Sequence, residues 1–387
     1  MLSFNNTEVA FSSKSDRDLR KAFLLFRMVE DPALVKLGKY MVPLSFHLGL
    51  PIKPIIKATI FHQFCGGENI EECKQAVEAL GKFNIGTILD YSVEGKHEET
   101  DLDETTQEII RTAEVAKGNP MIPFCVFKVT GVARHGLLEK VSEGKELTSE
   151  EKEEYKRVVD RVNRISKAAF DSGTPVFIDA EESWIQPAID DLTHSMMAMY
   201  NKEKAIIFNT VQLYRHDRLQ FLKDAHAKAK QNNYHYGVKL VRGAYMEKER
   251  KRAAEMNYAS PIQPNKFASD KDYGLSLQYC LENIDTMAIC AGSHNEDSAI
   301  YLTQLMENYK IPKNDKRIYF AQLLGMSDHI SFNLADAGYN VAKYVPYGPV
   351  KEVLPYLIRR AEENTSVKGQ TGRELSLIIR ELKRRRQ

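Results

Sequence analysis

The stretch TSEEKEEYKRVVDRVNRISKAAFDSGTPVFID, residues 148–179, holds the unit from which most of the chain is built. Thr148, with Glu151 three residues on, is a capping box. Tyr155, Val158, Val159, Val162, Ile165 and Ala169 then recur at helical spacing up to Gly173. A short apolar run follows, Pro175–Asp179, and it ends in an acid. The same alternation extends in both directions. Towards the N-terminus lie Gly86–Tyr91 and Phe124–Val129. Towards the C-terminus lie Ala205–Asn209, Gly237–Val241, Thr286–Ala291, Arg317–Phe320 and Asn340–Tyr344. Eight β-branched runs separated by helical stretches over about 260 residues predict an α/β chain whose strands close into a (β/α)8 barrel. A doubly wound sheet would also alternate, but eight units suit closure better. No GxGxxG accompanies the strands, so nothing points to a Rossmann dinucleotide site.

Ahead of the first run, residues 1–83 read as a helical arm. Ser15 and Asp18 form a capping-box-like start before Leu19, Phe23, Phe26 and Met28. A second amphipathic helix spans 69–82 with Ile70, Cys73, Ala76, Val77 and Leu80 on its apolar side. The barrel is expected over 84–366. Residues 367–387 form a tail in which Leu375, Ile378, Ile379 and Leu382 precede Lys383-Arg384-Arg385-Arg386. Two readings of that tail stand: cations favoured at a helix C-terminus by the dipole, or peripheral contact with a membrane surface.

The 387 residues carry 54 Lys+Arg against 53 Asp+Glu, a net charge of +1, so no global field favours nucleic acid. Five cysteines, Cys65, Cys73, Cys125, Cys280 and Cys290, form no C-x-x-C and have no His cluster beside them. This argues against a disulfide framework or a metal site and for a reducing compartment. His47, His62, His235 and His329 lack metal-ligand spacing. The N-terminal residues show no signal-peptide pattern, and prolines interrupt the apolar stretch 40–64. The expected location is therefore cytoplasmic, or peripheral at the inner face of a membrane, on the matrix side in a mitochondrion.

Functional side chains of such a barrel sit at the C-terminal ends of its strands. Those ends carry Asp90, Glu94, Lys128, Asp179, Gln212, Lys239, Arg242, Ser293-His294-Asn295, Gln322 and Tyr344, a polar ring. After the last run comes Tyr356-Leu357-Ile358-Arg359-Arg360. Paired guanidinium groups on a helix with an apolar lead are suited to bidentate capture of a desolvated carboxylate, so a small acid is the expected ligand.

The blocks FIDAEES (177–183), KLVRGAYMEKER (239–250), SHNED (293–297), QLLGMSD (322–328) and KYVPYGPVKEVLPYLIRRAEEN (343–364) resemble those of the proline dehydrogenase family, in family order. LVRGAY followed by AAEMNYASPIQP is more similar to the single-function, mitochondrial-type members than to bifunctional proline utilisation A. The resemblance implies a distorted barrel holding FAD, with the last helix over its mouth. It implies oxidation of L-proline to Δ1-pyrroline-5-carboxylate by hydride transfer to flavin N5, and a quinone-type electron acceptor.

By the same resemblance, Arg359 and Arg360 take the carboxylate, and Tyr344, Tyr356 and Leu240 wall the ring. Glu94 pairs with Arg359 on closure. Asp179, Lys128 and Lys239 act beside flavin and substrate. Ala180, Gln212, Lys239, Arg242, Ser293, His294 and Asn295 hold the FAD. Two departures stand out. Lys239 and Arg242 exchange the Arg and Lys of many bacterial members, and Ser293 replaces a common Thr. Members that prefer 4-hydroxyproline have serine where Tyr356 stands here.

Overall fold

The computed structural model describes residues 2–48, 50–93, 98–366 and 370–387. Its eight strands are β1 Ile85–Tyr91, β2 Phe124–Lys128, β3 Val176–Asp179, β4 Ile207–Gln212, β5 Tyr236–Val241, β6 Met287–Gly292, β7 Ile318–Leu323 and β8 Val341–Tyr347. They form a closed barrel in chain order. The pairs β2–β3, β3–β4, β4–β5, β5–β6, β6–β7 and β1–β8 are all parallel. The expected barrel is thus the observed one. β4, β7 and β8 each run three residues further than their apolar runs suggest, through Gln212, Leu323 and Tyr347. Strand tops in a barrel keep their ladder while turning polar side chains towards a site, so hydrophobicity fades before the hydrogen bonds do. β8 even crosses Pro346, whose carbonyl accepts the Gly66 N–H at 2.9 Å.

The chain divides into two compact units, residues 1–94 with 322–387, and residues 95–321. In the second unit the capped helix is present at Ser149–Ser172. Thr148 and Glu151 bond reciprocally, and Gly173 adopts φ 71° as a left-handed cap. One turn of its buried face carries Arg161, which is 1% exposed and is bonded to Asp103 at 2.7 Å and to Glu99. Inside the strands, Phe124 stacks on Phe177 at 4.4 Å and meets Phe208 and Tyr319 edge-on at 5.7 and 4.8 Å. This aromatic floor leaves no room beside Phe208, where a Cβ on Gly237 would lie 2.6 Å from the Ile207 carbonyl oxygen.

The first unit packs helices on β1 and β8. Helix Asp16–Val29 starts at Ser15, whose Oγ accepts from the Asp18 N–H and donates to the Asp18 carboxylate at 2.6 Å. It buries Leu19, Ala22, Phe26 and Val29. Met28, expected on that face, is exposed, because the 3.6-residue period carries the stripe to Val29 instead.

Leu19 and Phe26 pack against Leu375, Leu377 and Ile378 of helix Gln370–Arg384. The tail's apolar face is therefore spent inside the protein. Its basic end is engaged as well: Arg385 reaches Asp16 at 2.9 Å and Glu381 at 2.7 Å, and Arg384 reaches Glu381 at 2.9 Å. These contacts describe a tail that is packed and charge-paired within the first unit. Deeper in, Lys343 of β8 is fully enclosed and donates to Asp328 at 2.8 Å. Burial alone would raise the Asp328 carboxyl, but Lys343 and Lys14 outweigh it and hold it down at about 2. All five cysteines are buried, and none is in a disulfide. Among the described residues no helix is long and apolar enough to cross a membrane, and no His/Cys/Asp/Glu group could hold a metal.

Candidate active site

In the second unit, parallel register sets Lys128, the last residue of β2, beside Asp179, the last of β3. Asp179 accepts a hydrogen bond from Lys239 Nζ. Lys239 reaches it from β5, two strands away, with its ammonium 5.5 Å from the centre of the Phe177 ring. Side chains from alternate strands meet only inside a barrel, so this pair marks the interior. Gln212 closes β4 and donates to the Glu181 carbonyl at 2.7 Å, which fixes the backbone that follows Asp179 and Ala180. Leu240, next to Lys239, is fully enclosed.

One step further round, Arg242 leaves β5 and spreads its guanidinium over three partners: Asp270 at 2.7 Å, Ser293 Oγ at 2.9 Å and Ser298 Oγ at 2.9 Å. It stacks on Tyr273 at 4.5 Å. Ser293 follows β6, and its Oγ also accepts the Asn295 N–H. Asn295 caps helix Glu296–Asn308 by accepting from the Ser298 N–H at 2.8 Å, and half-buried His294 lies between the two. Two cations, a hydroxyl and a helix N-terminus are gathered at the ends of neighbouring strands. That donor set fits a dinucleotide flavin, whose pyrophosphate and reduced ring both carry negative charge.

Two participants escape a sequence reading. Asp270 and Tyr273 lie on helix Lys266–Glu282, and nothing local marks them as partners of Arg242. Glu181, in contrast, stands in the DAEES block and could have been singled out there. It is 3% exposed and accepts from both the N–H and the hydroxyl of Thr130. Burial pushes its carboxyl up to about 7, against the opposing pull of Lys128 and of the Thr130 hydrogen bonds.

In the first unit, the paired arginines lie on helix Leu354–Ser366. Leu354, Leu357, Ile358 and Ala361 line a cavity of about 900 Å³, which neither Arg359 nor Arg360 lines. Tyr356, Arg359 and Arg360 follow the complementary i, i+3, i+4 spacing. Arg360 holds its guanidinium carbon 5.2 Å from the Tyr356 ring centre. Arg360 and Tyr356 are 9% and 6% exposed, and Arg359 is half-buried. Tyr344 lies in β8, 8% exposed, and its carbonyl accepts the Leu324 N–H at 2.8 Å. Gln322 accepts from Ser331 Oγ at 2.8 Å, and Asp90 from Ser92 Oγ at 2.7 Å. Glu94 falls outside the described residues.

Comparison with known proteins adds an independent line. The family model for proline dehydrogenase matches residues 73–373. "Proline dehydrogenase 1, mitochondrial" of Dictyostelium discoideum is 34% identical over 98% of the chain and 74% of its own length. "Hydroxyproline dehydrogenase" of Xenopus laevis is 33% identical over 99% of the chain and 90% of its own length. Among solved structures, proline utilization A from Bdellovibrio bacteriovorus superposes with a TM-score of 0.73 at 21% identity. It covers 93% of the chain, which spans 38% of that larger protein, and this likeness speaks to the fold.

Proposed function

Because the chain belongs to the proline dehydrogenase family, we propose that it oxidises L-proline to Δ1-pyrroline-5-carboxylate with FAD and passes the electrons to a quinone-type acceptor. The observation that carries this reading is the two-faced helix Leu354–Ser366. One stripe lines an apolar cavity, and Tyr356, Arg359 and Arg360 lie on the complementary stripe, where two guanidinium groups and an aromatic ring suit a small carboxylate. Arg359 and Arg360 would grip the carboxylate, with Tyr356 holding the Arg360 fork in plane by a cation–π contact. Tyr344 would complete the wall around the ring, and Glu94 would pair with Arg359 on closure; Leu240, expected in that wall, follows inward-pointing Lys239 in β5 and so turns to the opposite face.

Ala180, Gln212, Lys239, Arg242, Ser293, His294 and Asn295 would hold FAD, and Asp179, Lys128 and Lys239 would act beside the flavin and the substrate. FAD, when bound, supplies the acceptor, at N5, for the hydride that leaves proline C5. The chain's own part is positioning: a fixed carboxylate and a fixed cofactor together fix the reacting carbon. Lys239 would keep a positive charge near the ring while Asp179 orients its ammonium. Use of a quinone would place the protein at the inner face of a membrane.

The Xenopus laevis relative makes 4-hydroxyproline a second reading. Tyr356 favours proline, because a bulky ring on the carboxylate-binding face crowds a substituent at C4. Purified protein should absorb near ~450 nm and bleach on adding L-proline without oxygen. Protein that binds flavin but bleaches only with other amino acids would overturn the substrate. Protein that takes up no flavin would overturn the chemistry.

A further inference from the structure

Glu181 follows Asp179 by two residues, as Thr130 follows Lys128, and the two strands end side by side. The Glu181 carboxylate accepts from the Thr130 N–H at 3.0 Å and from the Thr130 hydroxyl, so the segment after β3 clasps the segment after β2. The rest of the residue is tied down as well. Its carbonyl accepts from Gln212 of β4 at 2.7 Å, and its N–H donates to Gln186 Oε1 at 2.8 Å. Gln186 in turn donates to Asp190 at 2.9 Å, where Asn209 and Arg218 also donate, at 2.9 and 2.8 Å. One residue thus joins the ends of β2, β3 and β4 to helix Gln186–Tyr200.

A glutamine of the same size would meet Thr130 without burying an ionisable group, so packing alone does not call for an acid here. What the acid adds is charge. Burial pushes its carboxyl up to about 7, and half-buried Lys128 pulls it back towards ionisation. The neighbouring charges are otherwise engaged. Glu182 is paired with Lys248 and lies 3.8 Å from His135, Asp190 is paired with Arg218, and Asp179 accepts from Lys239. Gln186 and Gln212 are neutral.

We propose that Glu181 is a positioning residue for the reaction: its ionised carboxylate, clasped by Thr130, fixes the Lys128 ammonium at the end of β2, which rests on the reading of Lys128 as a group beside the flavin and the substrate. The carboxyl is ionised above about pH 7, so the anchor on Lys128 is complete above that pH and lost below it. The substrate carboxylate is assigned to Arg359 and Arg360. Loss of Glu181 therefore acts on the rate of reduction rather than on affinity for proline.

The test follows anaerobic bleaching of the flavin-loaded protein at ~450 nm with saturating L-proline, from about pH 5.5 to 9. In the wild type the limiting rate should rise through an inflection near pH 7. Glu181→Gln should lack that inflection and stay about tenfold below the wild-type plateau, with flavin content and half-saturation by proline unchanged. Thr130→Val keeps the charge but removes the hydroxyl that stabilises it, and should move the inflection up by about one pH unit. Glu181→Asp should recover part of it, whereas a purely structural role would make the equal-sized Gln the better replacement. A second measurement needs no turnover: trinitrobenzenesulfonate labelling of Lys128 at about pH 8, read by peptide mass against exposed Lys117. An ammonium that loses its counter-charge gives up its proton more readily, so Lys128 should react about threefold faster or more in Glu181→Gln. A wild-type pH profile in the Gln variant, equal labelling, or a rise in half-saturation at an unchanged rate would each overturn the assignment. Wild-type protein that does not bleach with proline would overturn the reaction instead, and the labelling would then decide the case of Glu181.

Discussion

Replacing Tyr356 with serine should change the balance between proline and 4-hydroxyproline, and the structure separates that effect from a plain loss of packing. The ring is 6% exposed and clusters with Phe61, Phe64, Val353 and Leu357, so truncating it should lower stability by about 3–5 kcal/mol. It also lies 5.2 Å from the Arg360 guanidinium, a contact worth about 0.5–2 kcal/mol in keeping that fork oriented. Both losses act alike on two substrates that share one carboxylate, so they cancel in a ratio. The space vacated beside the ring does not cancel. Proline should lose wall contact worth about 1–3 kcal/mol, while the hydroxylated ring gains room. The assay is kcat/KM for each substrate with an artificial electron acceptor, in both proteins, well below the variant's unfolding temperature. The hydroxyproline-to-proline ratio should rise about tenfold. An equal fall for both substrates would reduce Tyr356 to a packing residue, and a wild type that already prefers hydroxyproline would refute the steric argument outright.

Arg360→Met should raise KM for proline by a factor of about 30–1,000, the loss of one charge-assisted partner worth about 2–4 kcal/mol. Flavin content read at ~450 nm should stay constant; an unchanged KM or a colourless protein would contradict the assignment. Glu181→Gln should flatten the pH dependence of stability. A carboxyl raised from 4.5 to about 7 on folding contributes stability that is full below pH 4.5 and lost as pH rises through 7. That shift is worth roughly 3 kcal/mol, so urea unfolding of the wild type should fall by that much more than the variant between pH 4.5 and 7.5. Parallel curves would show that the carboxyl titrates normally.

How far the sequence could be read depended on the range of each signal. The barrel was legible because each unit repeats a local pattern: the Thr148–Glu151 box, the heptad-like stripe to Ala169, the stop at Gly173 and the run to Asp179. The strand-end rule then brought forward Lys128, Asp179, Gln212, Lys239 and Arg242 without any contact being known. What stayed hidden was long-range partnership. Asp270 sits on an ordinary helix and matters only because Arg242 folds back to meet it. Arg161 reads as one more surface charge in a helix rich in both signs, yet it is enclosed. The tail looked free to meet a membrane because amphipathicity says that a face will be covered but not by what, and Leu19 and Phe26, at the other end of the chain, cover it.

That last pairing sets a schedule for the ribosome. Arg385 bonds the carbonyl of Phe11 across 374 positions of sequence. At about 5–20 residues per second, the N-terminal helices would wait roughly 20–75 seconds for their partner to be made. Through that interval Leu19, Ala22 and Phe26 lack the side chains that later cover them. The outer layer of the first unit therefore completes its packing late, and a holdase chaperone would find an uncovered apolar stripe on helix Asp16–Val29 until helix Gln370–Arg384 has been made.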